Sequence, residues 1–256
     1  MGPGELSEPS SFLVAHGLGQ RVQALTSGGC KGLLPLDSSV SIASNLLSAC
    51  RTAGLDPVIV GRPDDPRLQD LAALGELQLR SPGGYINDVS FLSRDMRDII
   101  IVDCDTVASP DSIRAAVGAL LTSRADLAMV LSASPVSEDP RAIRPIVSNG
   151  RLVGLSQDVL RARTAGMYRF RGGILDTLRM FAAAQRGTFH DLLALLVEWR
   201  VAMETHVIDI AFNVNRDDDY AAAVSWWRGR SEEPGHGAVE PGNQLDDSRH
   251  QGGGGL

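Results

Sequence analysis

Lys31 is the only lysine in a chain of 256 residues; the other Lys/Arg-type cations are all arginine. A sequence that uses Arg wherever a generic cation suffices marks its one Lys as a place needing a compact, flexible ammonium. Upstream, the apolar run Phe12-Leu13-Val14-Ala15 passes directly into His16-Gly17-Leu18-Gly19-Gln20-Arg21. Glycines one residue apart permit a tight turn and let the backbone approach a ligand with no Cβ in the way. Successive N–H groups in such a loop cradle phosphate oxygens. Arg21 adds a fork of donors and Lys31 a point charge, both suited to polyphosphate. A dinucleotide fingerprint requires a glycine where Val22 stands, so that reading fails. Farther along, Asp103-Cys104-Asp105 closes the apolar run Asp98 to Val102. Carboxylates at a strand end bind a divalent cation through oxygen, hydrogen-bond a ribose, or cap the next segment. Asp105, nearer the open end, is the candidate ligand, and Asp103 is read as structural or supporting. A hard cation beside a phosphate loop implies phosphoryl or nucleotidyl transfer, which rests on positioning and charge neutralisation.

These groups need a scaffold that gathers strand ends. Apolar runs at 12–15, 57–61, 77–80, 98–102 and 127–131 read as strands. Between them, Ser41 to Ala53 carries Ile42, Leu46, Leu47 and Cys50 at helical spacing, with Gly54 as the stop. Leu68 to Leu74 and Asn87 to Met96 also read as helices, as does Asp111 to Ser123 behind the N-cap pair Ser109-Pro110. Strand-helix alternation predicts a parallel sheet with helices on both faces. Ligands then gather at the C-terminal ends of the strands. In the second half, Asn149-Gly150 between Pro145–Val147 and Leu152–Leu155 predicts a hairpin with a two-residue turn. Thr164 to Phe170 and Ala202 to Ile210 read as strands; 172–185, 189–198 and Asp217 to Trp227 read as helices. The expected fold is α/β, a Rossmann-like three-layer α/β/α arrangement with a mostly parallel central sheet and a small β-hairpin.

Composition excludes several classes. No apolar run approaches the ~20 residues that span a bilayer, and the start of the chain lacks an export pattern. The cysteines Cys30, Cys50 and Cys104 are odd in number and lack metal-type spacing, which fits a reducing, cytoplasmic setting. A net charge of −7 argues against a nucleic-acid partner. Residues 1–10 and 231–256 are polar and Gly/Pro-rich, and are expected to be a flexible N-terminal tail and a disordered C-terminal one. A homodimer stays open; Trp226-Trp227 at the end of the last helix reads as packing, or at most as a subunit contact.

The run Leu13 to Arg21 with Lys31-x-x-Leu34-Pro35 resembles the signature of nucleotidyltransferases acting on sugar phosphates, L-A-A-G-x-G-x-R…P-K-x-L-x-P. Val102-Asp103-Cys104-Asp105 resembles that family's Mg²⁺-holding strand end. Asn149 to Ser156 looks like its sugar-side hairpin, and Thr164-Ala165-Gly166-Met167-Tyr168-Arg169-Phe170 like its T-A-G-I-Y-x-F strand. Phe212-Asn213-Val214-Asn215-Arg216-Asp217-Asp218-Asp219-Tyr220 is similar to the closing D-V-D-T-P-E-D-L, and closer to the N-V-N-T-P-E-D-L of molybdenum-cofactor guanylyltransferase relatives.

The resemblance implies a nucleotidyltransferase domain over 11–230, with the hairpin on the acceptor side. By position, Ala15, His16, Gly17 and Gly19 would line the base and phosphates, and Gly84 and Asn87 would touch the base or sugar. Arg21 and Lys31 would bind the phosphates. Asp105 would hold Mg²⁺ with Asn213 or Asn215 as further ligand. The partners implied are an NTP and a phosphorylated sugar, cyclitol or small alcohol, and the product is released with pyrophosphate. His16 replaces a small residue, Cys30 a proline, and Asn213 and Asn215 replace aspartates, which weakens the pull on a metal. Two other readings stay open: a glycosyltransferase using Asp103 and Asp105 as a D-x-D site, and a non-catalytic nucleotide-binding relative. The base is left open between cytidylyl or uridylyl transfer and guanylyl transfer.

Overall fold

A computed structural model describes residues 8–15, 22–80, 83–133, 145–155, 163–184 and 187–231. His16, Gly17, Gly19 and Arg21 of the predicted loop lie outside the described residues, as does the chain beyond residue 231.

Strand β1 (Ser10–Val14) is buried and leads, through helix α1 (Gln23–Thr26) and a 3₁₀ turn (Lys31–Leu33), to α2 (Ile42–Thr52). Ser41 caps α2 with a reciprocal Ser41–Ser44 capping box. The chain continues through β2 (Val58–Gly61), α3 (Leu68–Ala72), β3 (Leu77–Leu79), α4 (Tyr85–Leu92) and β4 (Asp98–Asp103). These strands pair in the order β3-β2-β1-β4, all parallel. The chain therefore works outward from β1 on one side and then crosses back to lay β4 on the other. Such a reversal opens a crevice at the C-terminal ends of the two strands it separates, here after Val14 and Asp103, which are register partners.

Next come β5 (Thr106–Ala108), α5 (Pro110–Thr122), β6 (Leu127–Ser132), β7 (Pro145–Ser148), β8 (Arg151–Leu155) and β9 (Arg163–Arg171). The chain ends with α6 (Gly173–Ala183), α7 (Phe189–Glu198), β10 (Met203–Ile208), β11 (Ala211–Asn213) and α8 (Asp217–Ser231). The large sheet has the order β3-β2-β1-β4-β9-β6-β10-β8-β7. β9 is the strand predicted over 164–170, and it runs antiparallel between β4 and β6. Its direction is invisible in its sequence, because a strand buried on both faces reads the same either way. β6 and β10 are parallel to each other, so the sheet keeps a dominant direction with β9 reversed inside it.

Alternation along the strands splits the core into two layers. Leu13, Ile100, Val102 and Val130 belong to the layer with α2, α5 and Ala223 of α8, whereas Phe12, Ile99, Ile101 and Met129 pack with α4, α6 and α7. The result is the three-layer α/β/α fold expected. The Asn149-Gly150 turn adopts positive φ at both residues, +50° and +71°, as a two-residue hairpin with right-handed twist requires. The hairpin joins the large sheet through β8 and β10. A second, two-stranded sheet pairs β5 with β11, with Asn213 opposite Thr106. No pattern in the sequence announces it. Among the described residues, no helix is long and apolar enough to cross a membrane.

Candidate functional site

Ala15 directly follows β1, fully buried, with its N–H bonded to the Val60 carbonyl at 2.9 Å. On the other side of the crevice, the Cys104 N–H bonds to the Val14 carbonyl at 3.1 Å, tying the turn after β4 to the end of β1. Lys31 opens the 3₁₀ turn and reaches across to this turn. Its ammonium donates to Asp105 Oδ2 at 2.8 Å, to the Val214 carbonyl at 2.8 Å and to Asn215 Oδ1 at 3.1 Å. Lys31 and Asp105 are half-buried, at 15% and 24% side-chain exposure, so the pair is shielded yet reachable. Three predicted site residues from separate stretches thus meet at one point.

What converges on the Lys31 ammonium is a set of oxygens: a carboxylate, an amide and a main-chain carbonyl. This all-oxygen donor set suits a hard cation such as Mg²⁺ or Ca²⁺. The residues present therefore fit a divalent ion, on condition that Lys31 moves off Asp105. Among the described residues there is no cluster of three or more His, Cys, Asp or Glu able to hold a metal, so any ion here must draw on neutral oxygens as well. Asn213 lies beside this set on β11, and its amide nitrogen donates to the Thr164 carbonyl at 3.2 Å.

The loop that presents Asn215 is organised by Asp219, the third of the three acids that open α8. It is buried, and its Oδ2 accepts from the Asn215 and Arg216 N–H groups at 3.0 and 2.9 Å. The signal was present: an acid at the third position of a helix reaching back to the entering backbone is half of a capping box. Tyr220 and Trp227 of the same helix then dock on the segment after Lys31, through the Pro35 carbonyl at 2.5 Å and Asp37 at 2.9 Å. Hydrogen bonds from the Ser39 backbone, and next from Trp227, hold the Asp37 carboxyl down at about 2.

Asp103 faces the opposite layer from Cys104. Burial, and then the charge of Asp105, push its carboxyl well above the usual range, with Lys31 opposing. It lies against Gly166 of β9. A Cβ there would come within 2.6 Å of Thr106 Oγ1 and 3.0 Å of Asp103 Cβ, and φ is +67°, so only glycine fits. Beyond Asp103 stands an aromatic wall. Tyr85, Tyr168 and Phe189 stack with ring centroids 4.9 to 6.0 Å apart. Burial, and then the charge of Asp103, push the Tyr85 hydroxyl up. That hydroxyl is buried without a hydrogen-bond partner among the described residues. The sequence reading missed Tyr85, whose lone signal was its place beside Gly84.

Gly84 is the exposed N-cap of α4, with φ at +87°. Asn87 donates from its side chain to the Gly83 carbonyl at 2.7 Å. The pivot of this loop is Asp88, buried, which accepts from Arg80 at 2.8 Å and from the Gly83 N–H at 3.0 Å. Tyr85 packs on Tyr168, the register partner of Ile101 two residues before Asp103, so the N-terminus of α4 adjoins the same strand end. A separate cavity of about 790 Å³, lined by Pro9, Gly54 and Leu77 among others, opens at the N-terminal ends of the strands. It lies at the opposite end of the sheet from Lys31 and Asp105.

No family model matches the sequence, and no curated protein matches it. Solved structures do. The inositol-1-phosphate CTP transferase from T. maritima superposes with a TM-score of 0.69 at 12% identity, covering 88% of this chain and 98% of that one. A protein from Bacillus anthracis described as a glucose-1-phosphate thymidylyltransferase, solved with sucrose, gives a TM-score of 0.70 at 13% identity, covering 86% and 95%. The structural neighbours are sugar-phosphate nucleotidyltransferases, and at this identity what the chain shares with them is the fold.

Proposed function

We propose that the protein transfers a nucleoside monophosphate from an NTP to a phosphorylated sugar, cyclitol or other small alcohol, releasing pyrophosphate. The observation that carries this reading is the convergence of Lys31, Asp105 and Asn215 at the crevice between β1 and β4. An ammonium already bound by a carboxylate and neutral oxygens is a cation held in reserve at the strand ends.

In this reading the acceptor's phosphate oxygen attacks the α-phosphorus in line. It is ionised at neutral pH, so no general base is required. Lys31, with Arg21 from the preceding loop, neutralises charge that builds on the α-phosphate and the leaving pyrophosphate. Asp105, with Asn213 or Asn215, would hold Mg²⁺, which when bound supplies further charge neutralisation. Gly84 and Asn87, at the start of α4, would contact the base or sugar. The Tyr85 hydroxyl and the Asp103 carboxyl would take hydroxyls of the acceptor. That assignment favours a polyhydroxylated acceptor over a simple alcohol.

The test is pyrophosphate release with CTP, UTP, GTP, dTTP or ATP and Mg²⁺ against inositol-1-phosphate, glucose-1-phosphate and related acceptors. Lys31→Ala and Asp105→Ala are each expected to lower turnover by about a hundredfold or more. Near-normal turnover in either variant refutes the scheme. Transfer from a sugar nucleotide without pyrophosphate chemistry would instead establish the D-x-D glycosyltransferase reading. Nucleotide binding with no turnover of any acceptor would establish a non-catalytic role.

A further inference from the structure

Each charged partner in the central pair is preceded by a cysteine: Cys30 before Lys31 and Cys104 before Asp105. Their sulfurs lie 3.5 Å apart although the residues are 74 positions apart in sequence. Both side chains are buried, at 2% and 5% exposure. The two sulfurs are held from both sides. The Gly32 N–H donates to Cys30 Sγ at 3.1 Å, and the Cys104 backbone is pinned to β1. A Cβ on Gly32 would come within 3.1 Å of Cys104 Sγ and 3.2 Å of Cys30 Sγ, so the glycine leaves the space the two sulfurs share. A disulfide bond is about 2.05 Å long, so closing the gap needs only a small shift of each side chain. The third thiol, Cys50, is buried in α2; burial pushes it up to about 12, and the hydrogen bond with Cys30, then burial, push the Cys104 thiol well above its usual range as well.

We propose that Cys30 and Cys104 form a thiol–disulfide modification site. The oxidised form staples the 3₁₀ turn to the end of β4 and holds Lys31 on Asp105. The second statement rests on the proposed function, in which Lys31 must leave Asp105 to meet the triphosphate. The chemistry balances with a peroxide as oxidant. The Cys30 sulfur attacks one peroxide oxygen, the O–O bond breaks, one water leaves, and a sulfenic acid remains. The Cys104 sulfur then displaces that hydroxyl as a second water, forming the S–S bond. Both thiol protons end in the two waters, and the two electrons lost by sulfur reduce the peroxide. Hydrogen peroxide is small enough to enter a crevice whose half-buried lining includes Lys31 and Asp105.

The full-length Cys50→Ala protein is treated with hydrogen peroxide, blocked with an alkylating agent and analysed by intact mass and non-reducing peptide mapping. The expected product has lost two hydrogens, links the Cys30 and Cys104 peptides, and reverts with dithiothreitol. Closing so long a loop should raise Tm by about 5–10 °C. Cys30→Ala and Cys104→Ala, each in the same background, should show neither change. Oxygen addition to the thiols with no linked peptide, or no reaction in the folded protein, overturns the modification site. In parallel, binding of CTP or GTP with Mg²⁺ should fall at least tenfold on oxidation and recover on reduction. Equal binding by both forms overturns the stapling statement while the linked peptide stands. If the reduced protein binds neither nucleotide nor any other NTP, the proposed function fails, and the stapling statement with it.

Discussion

Replacing Gly166 with alanine adds one methyl group at the point where β9 passes the candidate site. The backbone there has φ +67°, a conformation that costs an L-residue with a Cβ about 1–2 kcal/mol. The new carbon would lie 2.6 Å from Thr106 Oγ1 and 3.0 Å from Asp103 Cβ. Thr106 has little room to yield, because it is fully buried and its hydroxyl donates to the Ala165 carbonyl at 2.9 Å. Overpacking of this kind costs about 1–3 kcal/mol. The sum, roughly 2–5 kcal/mol, should lower the urea midpoint by about 1–2 M with the slope unchanged. Gly118 is the internal control. It sits inside α5 with nothing within 4 Å of a built Cβ, so Gly118→Ala should stabilise by about 0.5–1 kcal/mol. The same chemical change is therefore expected to have opposite signs at the two positions. Equilibrium urea unfolding followed by circular dichroism measures both. A Gly166→Ala midpoint within experimental scatter of the wild type would refute the reasoning, since neither the backbone conformation nor the contact to Thr106 could then be as described.

Two further outcomes follow from the same geometry. Tyr85→Phe keeps the stacked ring and removes a buried hydroxyl that has no partner among the described residues, so the free protein should be unchanged or stabilised by about 1 kcal/mol. If that hydroxyl serves the acceptor, the variant should raise the acceptor KM with little change in the NTP KM. A variant that is both clearly destabilised and kinetically silent removes Tyr85 from the site. The Asp37 carboxyl is depressed to about 2 in the folded chain, against a usual value of 3.8. Its contribution to docking α8 is therefore complete above pH 3.8 and is lost as pH falls through about 2. An acid titration of tryptophan fluorescence should show a component in that window that is missing in Asp37→Ala; identical curves would count against the Trp227 contact.

Much of the fold was legible in the chain itself. Helix starts at Ser41 and Ser109, the Asn149-Gly150 turn and the apolar runs of β1, β4 and β6 are local signals, set by capping, backbone conformation and periodicity. Lys31 and Asp105 were also legible, because a lone lysine and a strand-end acid stand out by residue type. Their contact was not. It depends on β4 being laid against β1 and on β11 pairing with β5, and those pairings are set by packing between segments far apart in sequence. The reversed direction of β9 belongs to the same class, since burial on both faces erases any directional pattern.

The residues missed by sequence reasoning share one property: their roles lie in what they touch. Asp219 looked like one acid in a run of three, yet it is the one that turns inward to hold the Asn215 loop. Asp88, Tyr85 and the Cys30–Cys104 pair gained meaning only from neighbours brought by the fold. The sequence by itself determined the long elements, the layer architecture and which charged groups were available for chemistry, because those follow from local propensity and burial pattern; the short strands β5 and β11 were not among them. Tertiary structure alone decided which groups meet, since a 2.8 Å contact between residues 31 and 105 is settled by chain closure over long loops and by packing against a shared core, neither of which a local pattern encodes.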